Sequence, residues 1–228
     1  KRLDSINNYE RDCKLYSVGR TPHQHRLDLV DFFEDQKFTD EEVLYSALWK
    51  DKRIDERYHW PESGESGTNH GSNDFDITSY DQNPYNHVYC EIVTETIFDN
   101  SATQISDKPY KPILNYLPFI YVTSFGGLND LKSMGYESFD FIDESYDDIK
   151  DCSKRLEKIK KEILRFTKMD KNELHYIYNS NIPTFLHNRE VYLKNNTTRI
   201  KVMFESIIDD WKNNEECLSI TNELPTRS

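Results

Sequence analysis

Two short apolar runs, NHVYCEIVTET at residues 86–96 and LPFIYVTS at 117–124, constrain this chain more than any other feature. The first is rich in β-branched and aromatic residues, which suit a central strand. The second is compact and apolar, the pattern of a strand buried on both faces of a parallel sheet. Parallel neighbours need crossover connections, usually helical, so the chain is expected to be an α/β protein.

The remaining segments fit that expectation. CKLYSV at 13–18 predicts a strand, Gly19-Arg20-Thr21-Pro22 a turn, and HRLDLVDFFEDQ a helix with Leu27, Val30 and Phe33 on its buried face. Residues 51–83 hold Gly64, Gly67 and Gly71 among polar side chains and predict a long surface loop. Residues 107–116 have helix character. Gly126-Gly127 opens a helix over LNDLKSMG that Gly135 closes, and YESF predicts one more short strand. From Asp143 the texture is helical, with Ile149, Leu156, Ile159 and Ile163 on one stripe and further helices near 170–179 and 184–213. The expected organisation is an α/β domain over 1–165 and a helical extension over 166–228.

Composition narrows the function classes. The 41 acidic against 29 basic residues give a formal charge of −12, which disfavours a nonspecific grip on nucleic acid or anionic membrane. Apolar residues reach only 36%, but 13% aromatics supply core area. The four cysteines, Cys13, Cys90, Cys152 and Cys217, are widely spaced, which favours reduced thiols and a cytoplasmic setting over a disulfide framework or zinc site. No apolar run approaches the roughly 20 residues that span a bilayer, so no membrane partner is expected.

The chemistry concentrates at ISDKPYKPI, residues 105–113. If Ser106, Asp107 and Lys108 stand at a helix start, backbone N–H groups, a hydroxyl and an ammonium gather where phosphate binds well, and Asp107 can accept from the vicinal hydroxyls of a ribose. Lys111 lies one turn further on. Spacing alone is equally served by Ser106 and Asp107 capping a helix with Lys108 in solvent.

The wider pattern bears on that choice. VYCEIVTETIFDNSATQISDKPYKPILNYLPFIYVTS resembles the donor-binding signature of α1,3-fucosyltransferase-like enzymes. With YSVGRTPHQHRLDLVDFF, LPFIYVTSFGGLNDLKSMGYESF and IDESYDDIKD, it also resembles fucosyltransferase-like proteins of bacteriophages and large viruses, over roughly residues 15–165. The resemblance implies a Rossmann-like parallel sheet of the GT-B donor-domain type. It implies that Asp107 takes the ribose-binding acid position and Lys108 contacts the diphosphate. Arg26 and Arg20 add positive charge from the facing turn, and Glu95 binds the donor's sugar or nucleotide. Asp107 stands where the group has Glu and Pro109 where it has Thr, which shortens one reach and removes one hydroxyl.

The expected activity is transfer of a sugar from a nucleotide-diphosphate donor to an acceptor hydroxyl, with inversion and without metal or other cofactor. The basic set Arg20, Arg26, Lys108 and Lys111 offers metal-free stabilisation of a leaving diphosphate. Asp74-Phe75-Asp76 has the spelling of a metal-binding acid pair but falls in the polar loop. His23 and His25 flank the turn before Arg26 and suit phosphate contact or proton transfer, as well as plain solvation. Gly126-Gly127 suits either a close phosphate approach or a simple helix start. No catalytic base is singled out; Glu62, Glu65, Asp74 and Asp76 are candidates by location. The partners are a nucleotide sugar and a glycan or other hydroxyl acceptor, with a further domain or subunit supplying the acceptor site. A noncatalytic nucleotide- or glycan-binding module is the alternative, followed by sugar transfer to DNA bases, which the charge of −12 opposes.

Overall fold

The computed structural model describes residues 11–19, 21–50, 84–102 and 105–198. Arg20, the glycine-rich stretch 51–83 with its four candidate acids, Cys217 and the distal part of the helix expected to reach residue 213 lie outside them.

Four strands form one all-parallel sheet, in the order β2-β1-β3-β4: β1 Cys13–Gly19, β2 Val43–Ala47, β3 Val88–Thr94 and β4 Phe119–Val122. Every residue of β3 and of β4 is buried, Glu91 in the middle of β3 included. Register is fixed by Leu15 opposite both Val43 and Cys90, and by Ile92 opposite Ile120. The architecture is α/β with a parallel sheet, consistent with a Rossmann-like fold.

β2 has no counterpart among the expected strands. VLYSA is five residues long and follows the acid-rich stretch Asp40-Glu41-Glu42, too brief for periodicity to mark. Pairing along β1, from Leu15–Val43 to Gly19–Ala47, makes it a strand.

The helices are α1 Gln24–Gln36, α2 Tyr110–Leu114, α3 Gly127–Ser133, α4 Cys152–Thr167 and α5 Lys171–Ser180, with residues 182–189 also helical. α1 buries His25, Arg26, Leu29, Val30 and Phe33, so the stripe starts from two polar residues and passes through Leu29, not Leu27. α4 begins nine residues later than the helical texture at Asp143 suggested. Asp143 caps a 3-10 turn over Glu144–Asp148, Ile149 is extended, and Asp151 then caps α4 by accepting from the Lys154 N–H. YESF is not a strand, because the side-chain amide of Asn188 pairs with both the N–H and the carbonyl of Glu137.

α4 packs against β1, β4 and α1, while α5 lies against β3. Phe166, Tyr178 and Phe185 are buried in the same core as the sheet. Lys1–Arg189 is one compact unit and Glu190–Ser228 another; of the second, residues 190–198 are helical. No helix among the described residues is long and apolar enough to cross a membrane.

Candidate functional site

The strand order puts a topological switch between β1 and β3. From β1 the chain crosses to β2 on one side, and β3 then pairs with β1 on the other. Ligands of open α/β sheets bind at the carboxyl ends of the strands where the order reverses. Two turns meet there: residues 21–23, between β1 and α1, and the stretch that follows β3 from Glu95.

Glu95 is the centre of this edge. Its carboxylate accepts from the Ser106 N–H at 3.0 Å, the Ser106 hydroxyl at 2.8 and 2.9 Å, the Tyr121 hydroxyl at 2.8 Å and the Lys108 ammonium at 3.0 Å. Burial opposes its ionisation, but the donors from Ser106, Tyr121 and Lys108 outweigh that and hold the carboxyl below its usual range. With its side chain 1% exposed, Glu95 organises Ser106 and Lys108 instead of facing a ligand directly.

Arg26 approaches the same residue from α1. Its guanidinium donates to the carbonyls of Thr94 and Glu95 at 3.0 Å each and of Thr21 at 3.2 Å. His25 Nε2 donates to the Glu95 carbonyl at 2.9 Å. Both side chains are buried. Arg26 thus ties the turn after β1 to the end of β3 and adds its charge from behind the surface.

Lys108 keeps a solvent face, with 31% of its side chain exposed, and its ammonium also reaches the hydroxyls of Ser106 at 3.2 Å and Thr96 at 3.4 Å. Asp107 points outward, 61% exposed, with the Lys111 ammonium 3.5 Å from Oδ2. The fold therefore gathers Ser106, Lys108 and Tyr121 around the Glu95 carboxylate, places Arg26 on the backbone carbonyl of the same residue, and sets Asp107 and Lys111 on the flank.

One expectation changes in kind. Residues 107–116 do not form a helix headed by the Ser-Asp-Lys cluster: α2 covers only Tyr110–Leu114 and starts after Pro109. Five residues make little macrodipole, so the charge at this site comes from side chains.

The paired glycines serve packing and capping. Gly126 donates its N–H to the Asp147 carbonyl, and the Asp147 carboxylate accepts from Leu128 at 3.1 Å and Asn129 at 3.0 Å. A Cβ on Gly127 would meet Thr123 Cγ2 at 2.4 Å. The second and third N–H groups of α3 thus belong to Asp147, and the Tyr146 hydroxyl accepts from the Tyr121 N–H at 3.0 Å, so DESYD acts as a staple under β4.

Arg155 is a site residue that sequence reasoning missed. It is 1% exposed, donates to the carbonyls of Phe98 and Ile149, and lies 4.5 Å from the Phe98 ring centroid. From α4 it secures the loop after β3 that Arg26 secures from α1. Its place on an otherwise charged helix carried no signal of burial.

Beside these residues lies a cleft of about 490 Å³ between the N-terminal ends of α1 and α4 and the loop from Thr96 to Ser101. His23, His25, Phe98 and Cys152 are among its walls. Among the described residues no group of three or more His, Cys, Asp or Glu side chains is placed to hold a metal ion.

No family model, curated protein or solved structure matches the chain.

Proposed function

We propose that this chain is the donor-binding part of a GT-B type glycosyltransferase, moving a sugar from a nucleotide-diphosphate donor to an acceptor hydroxyl. The observation that carries this reading is the meeting of Arg26 and Lys108 on Glu95, at the carboxyl edge between β1 and β3. The resemblance of residues 15–165 to fucosyltransferase-like enzymes supports it from the sequence side.

In this reading Lys108, half in solvent and anchored by Glu95, lies against the diphosphate and neutralises the charge that develops as the sugar leaves. Exposed Asp107 accepts from the ribose hydroxyls, and Lys111 adds charge alongside. Arg26 contributes field and rigidity, because its hydrogen bonds go to backbone carbonyls. The alternative, a noncatalytic nucleotide-binding module, draws on the fact that Ser106 and Lys108 already satisfy one another through Glu95.

The test is a thermal-shift screen of the native chain and Lys108→Ala against GDP, UDP, ADP, CMP and their sugars. A nucleotide at 100 times its dissociation constant adds about 2.7 kcal/mol, so a genuine ligand raises Tm measurably. The expected result is stabilisation of the native chain by a nucleoside diphosphate, much reduced in the variant. Equal responses of both proteins to every compound remove Lys108 from the site. Turnover of the stabilising nucleotide sugar separates enzyme from module.

A further inference from the structure

We infer that the cleft between the N-terminal ends of α1 and α4 seats the hydroxyl-bearing group of the acceptor, and that His23 takes the proton from that hydroxyl. This inference rests on the donor-site reading and supplies the base that reading lacks.

The cleft adjoins the cationic site through one residue. Thr96 lines it, and the Thr96 hydroxyl is 3.4 Å from the Lys108 ammonium. A group seated in the cleft is therefore next to whatever Lys108 binds. Its walls combine the apolar side chains of Ile97, Phe98 and Leu156 with the polar side chains of Asp28, Ser153 and Glu157. An apolar face bordered by hydrogen-bonding groups suits a sugar ring or similar polyol.

Among the described proton-accepting groups of the cleft, His23 is the one left uncommitted. Asp28 accepts from Gln24, Asp99 from Ser101, and Glu157 pairs with Lys160. His25 is spent on the Glu95 carbonyl. The His23 ring stacks on His25 with centroids 6.0 Å apart and planes 8° from parallel, and it makes no side-chain cap bond to α1.

The charges around His23 couple its basicity to the donor. Partial burial and then the charges of Arg26 and Lys108 hold its imidazole below the usual range, so it is neutral and able to accept a proton. A bound diphosphate offsets those two cations, which strengthens the base when the donor is present. His25 and Asp28 are the other titratable groups nearby: burial keeps His25 neutral and outweighs the pull of Asp28 on that ring.

The step balances without a further reactant. The acceptor oxygen bonds to the anomeric carbon, and the bond from that carbon to the diphosphate oxygen breaks. The electron pair leaves with the nucleoside diphosphate, and the hydroxyl proton passes to His23 and then to solvent.

The experiment uses the full chain, with GDP- and UDP-sugars as donors and water, methyl β-galactoside and methyl α-mannoside as acceptors. Nucleotide affinity, nucleoside diphosphate release and the His23 ring titration by NMR are measured together. His23→Gln is expected to lower release by about 100-fold or more with little change in nucleotide affinity, and imidazole to restore part of the activity of His23→Gly. In the native chain the His23 titration is expected to move upward when GDP or UDP binds. Ser153→Trp, which fills the cleft, is expected to raise the acceptor KM and leave nucleotide affinity alone.

The role of His23 is overturned if His23→Gln retains release within about threefold of native, a change too small for loss of a general base. It is also overturned if nucleotide binds without moving the His23 titration, or if nucleotide sugar binds with no release to any acceptor; in these cases the donor site stands. Failure of the native chain to bind any nucleotide overturns the donor reading, and this inference with it.

Discussion

Lys108 and Glu95, thirteen residues apart in sequence, form an ion pair of 3.0 Å in which one side chain is 31% exposed and the other 1%. The pair is asymmetric in what each partner leaves behind. Without Lys108, the Glu95 carboxylate still accepts from Ser106 and Tyr121. Without Glu95, the buried hydroxyl of Tyr121 loses its carboxylate acceptor.

The two single substitutions should therefore differ in stability. Lys108→Ala is expected to cost about 1 kcal/mol, and Glu95→Ala about 2–4 kcal/mol, because only the second removes the common acceptor of a buried network. Urea unfolding of both variants measures the difference; equal losses would mean that the ion pair, not the network, holds this edge.

Two buried groups give stability opposite dependences on pH. Burial raises the Glu91 carboxyl to about 8, with Lys111 and the Tyr85 hydroxyl opposing. Between pH 4.5 and 8 the folded chain thus keeps a proton that the unfolded chain has released, and stability falls as pH rises. Burial lowers His25 to about 4 against the pull of the Glu95 carbonyl, so between pH 6.5 and 4 stability falls as pH drops. The slopes oppose one another below pH 6.5, and from 6.5 to 8 the Glu91 contribution alone remains. Each proton contributes at most about 1.4 kcal/mol per pH unit. Glu91→Gln is expected to remove the decline above pH 6.5, as read from urea midpoints in pH steps.

The staple under β4 predicts a third pair of outcomes. Asp147→Ala deprives the Leu128 and Asn129 N–H groups of α3 of their acceptor and is expected to lose about 1–2 kcal/mol. Gly127→Ala forces a methyl against Thr123 and is expected to lose about 1–3 kcal/mol, partly recovered with Thr123→Ser, which removes the 2.4 Å contact at Cγ2. Thermal unfolding of the two singles and the double checks both, and full additivity in the double would place the strain elsewhere.

What the sequence made legible was set by local signals. β1, β3 and β4 were readable because short runs rich in β-branched, aromatic and aliphatic residues, bounded by turn signals, have few other folded states. β2 was not, since VLYSA becomes a strand only through its partner. Ser106, Asp107, Lys108 and Lys111 could be named from charge and spacing, and Arg26 and Glu95 from the resemblance alone, but their division of labour could not be read. Nothing in the sequence marks Arg26 or Arg155 as buried, and only the tertiary packing of α1 and α4 turns them toward backbone carbonyls. DESYD read as a helix start because acids followed by bases suit a dipole, whereas Asp143, Asp147 and Asp151 each cap a separate element.

Arg26 offers the sharpest separation of structural from ligand-binding roles at this edge. A guanidinium spreads its donors in a plane, and here one fork spans three carbonyls, those of Thr21, Thr94 and Glu95, on two turns. An ammonium at the end of a lysine is a single point and cannot reach all three. Arg26→Lys keeps the charge but is therefore expected to lose about 2–3 kcal/mol of stability, because buried carbonyls go unpaired. Amide exchange at Glu95 and Thr96 should quicken as the two turns separate, and nucleotide affinity should fall as a consequence of that loosening. Lys108→Ala should show the reverse balance, losing only about 1 kcal/mol with near-native exchange but weakened nucleotide binding. If Arg26→Lys matches the native protein in both unfolding and exchange, the three carbonyl contacts do not hold the turns together, and Arg26 acts through its charge alone.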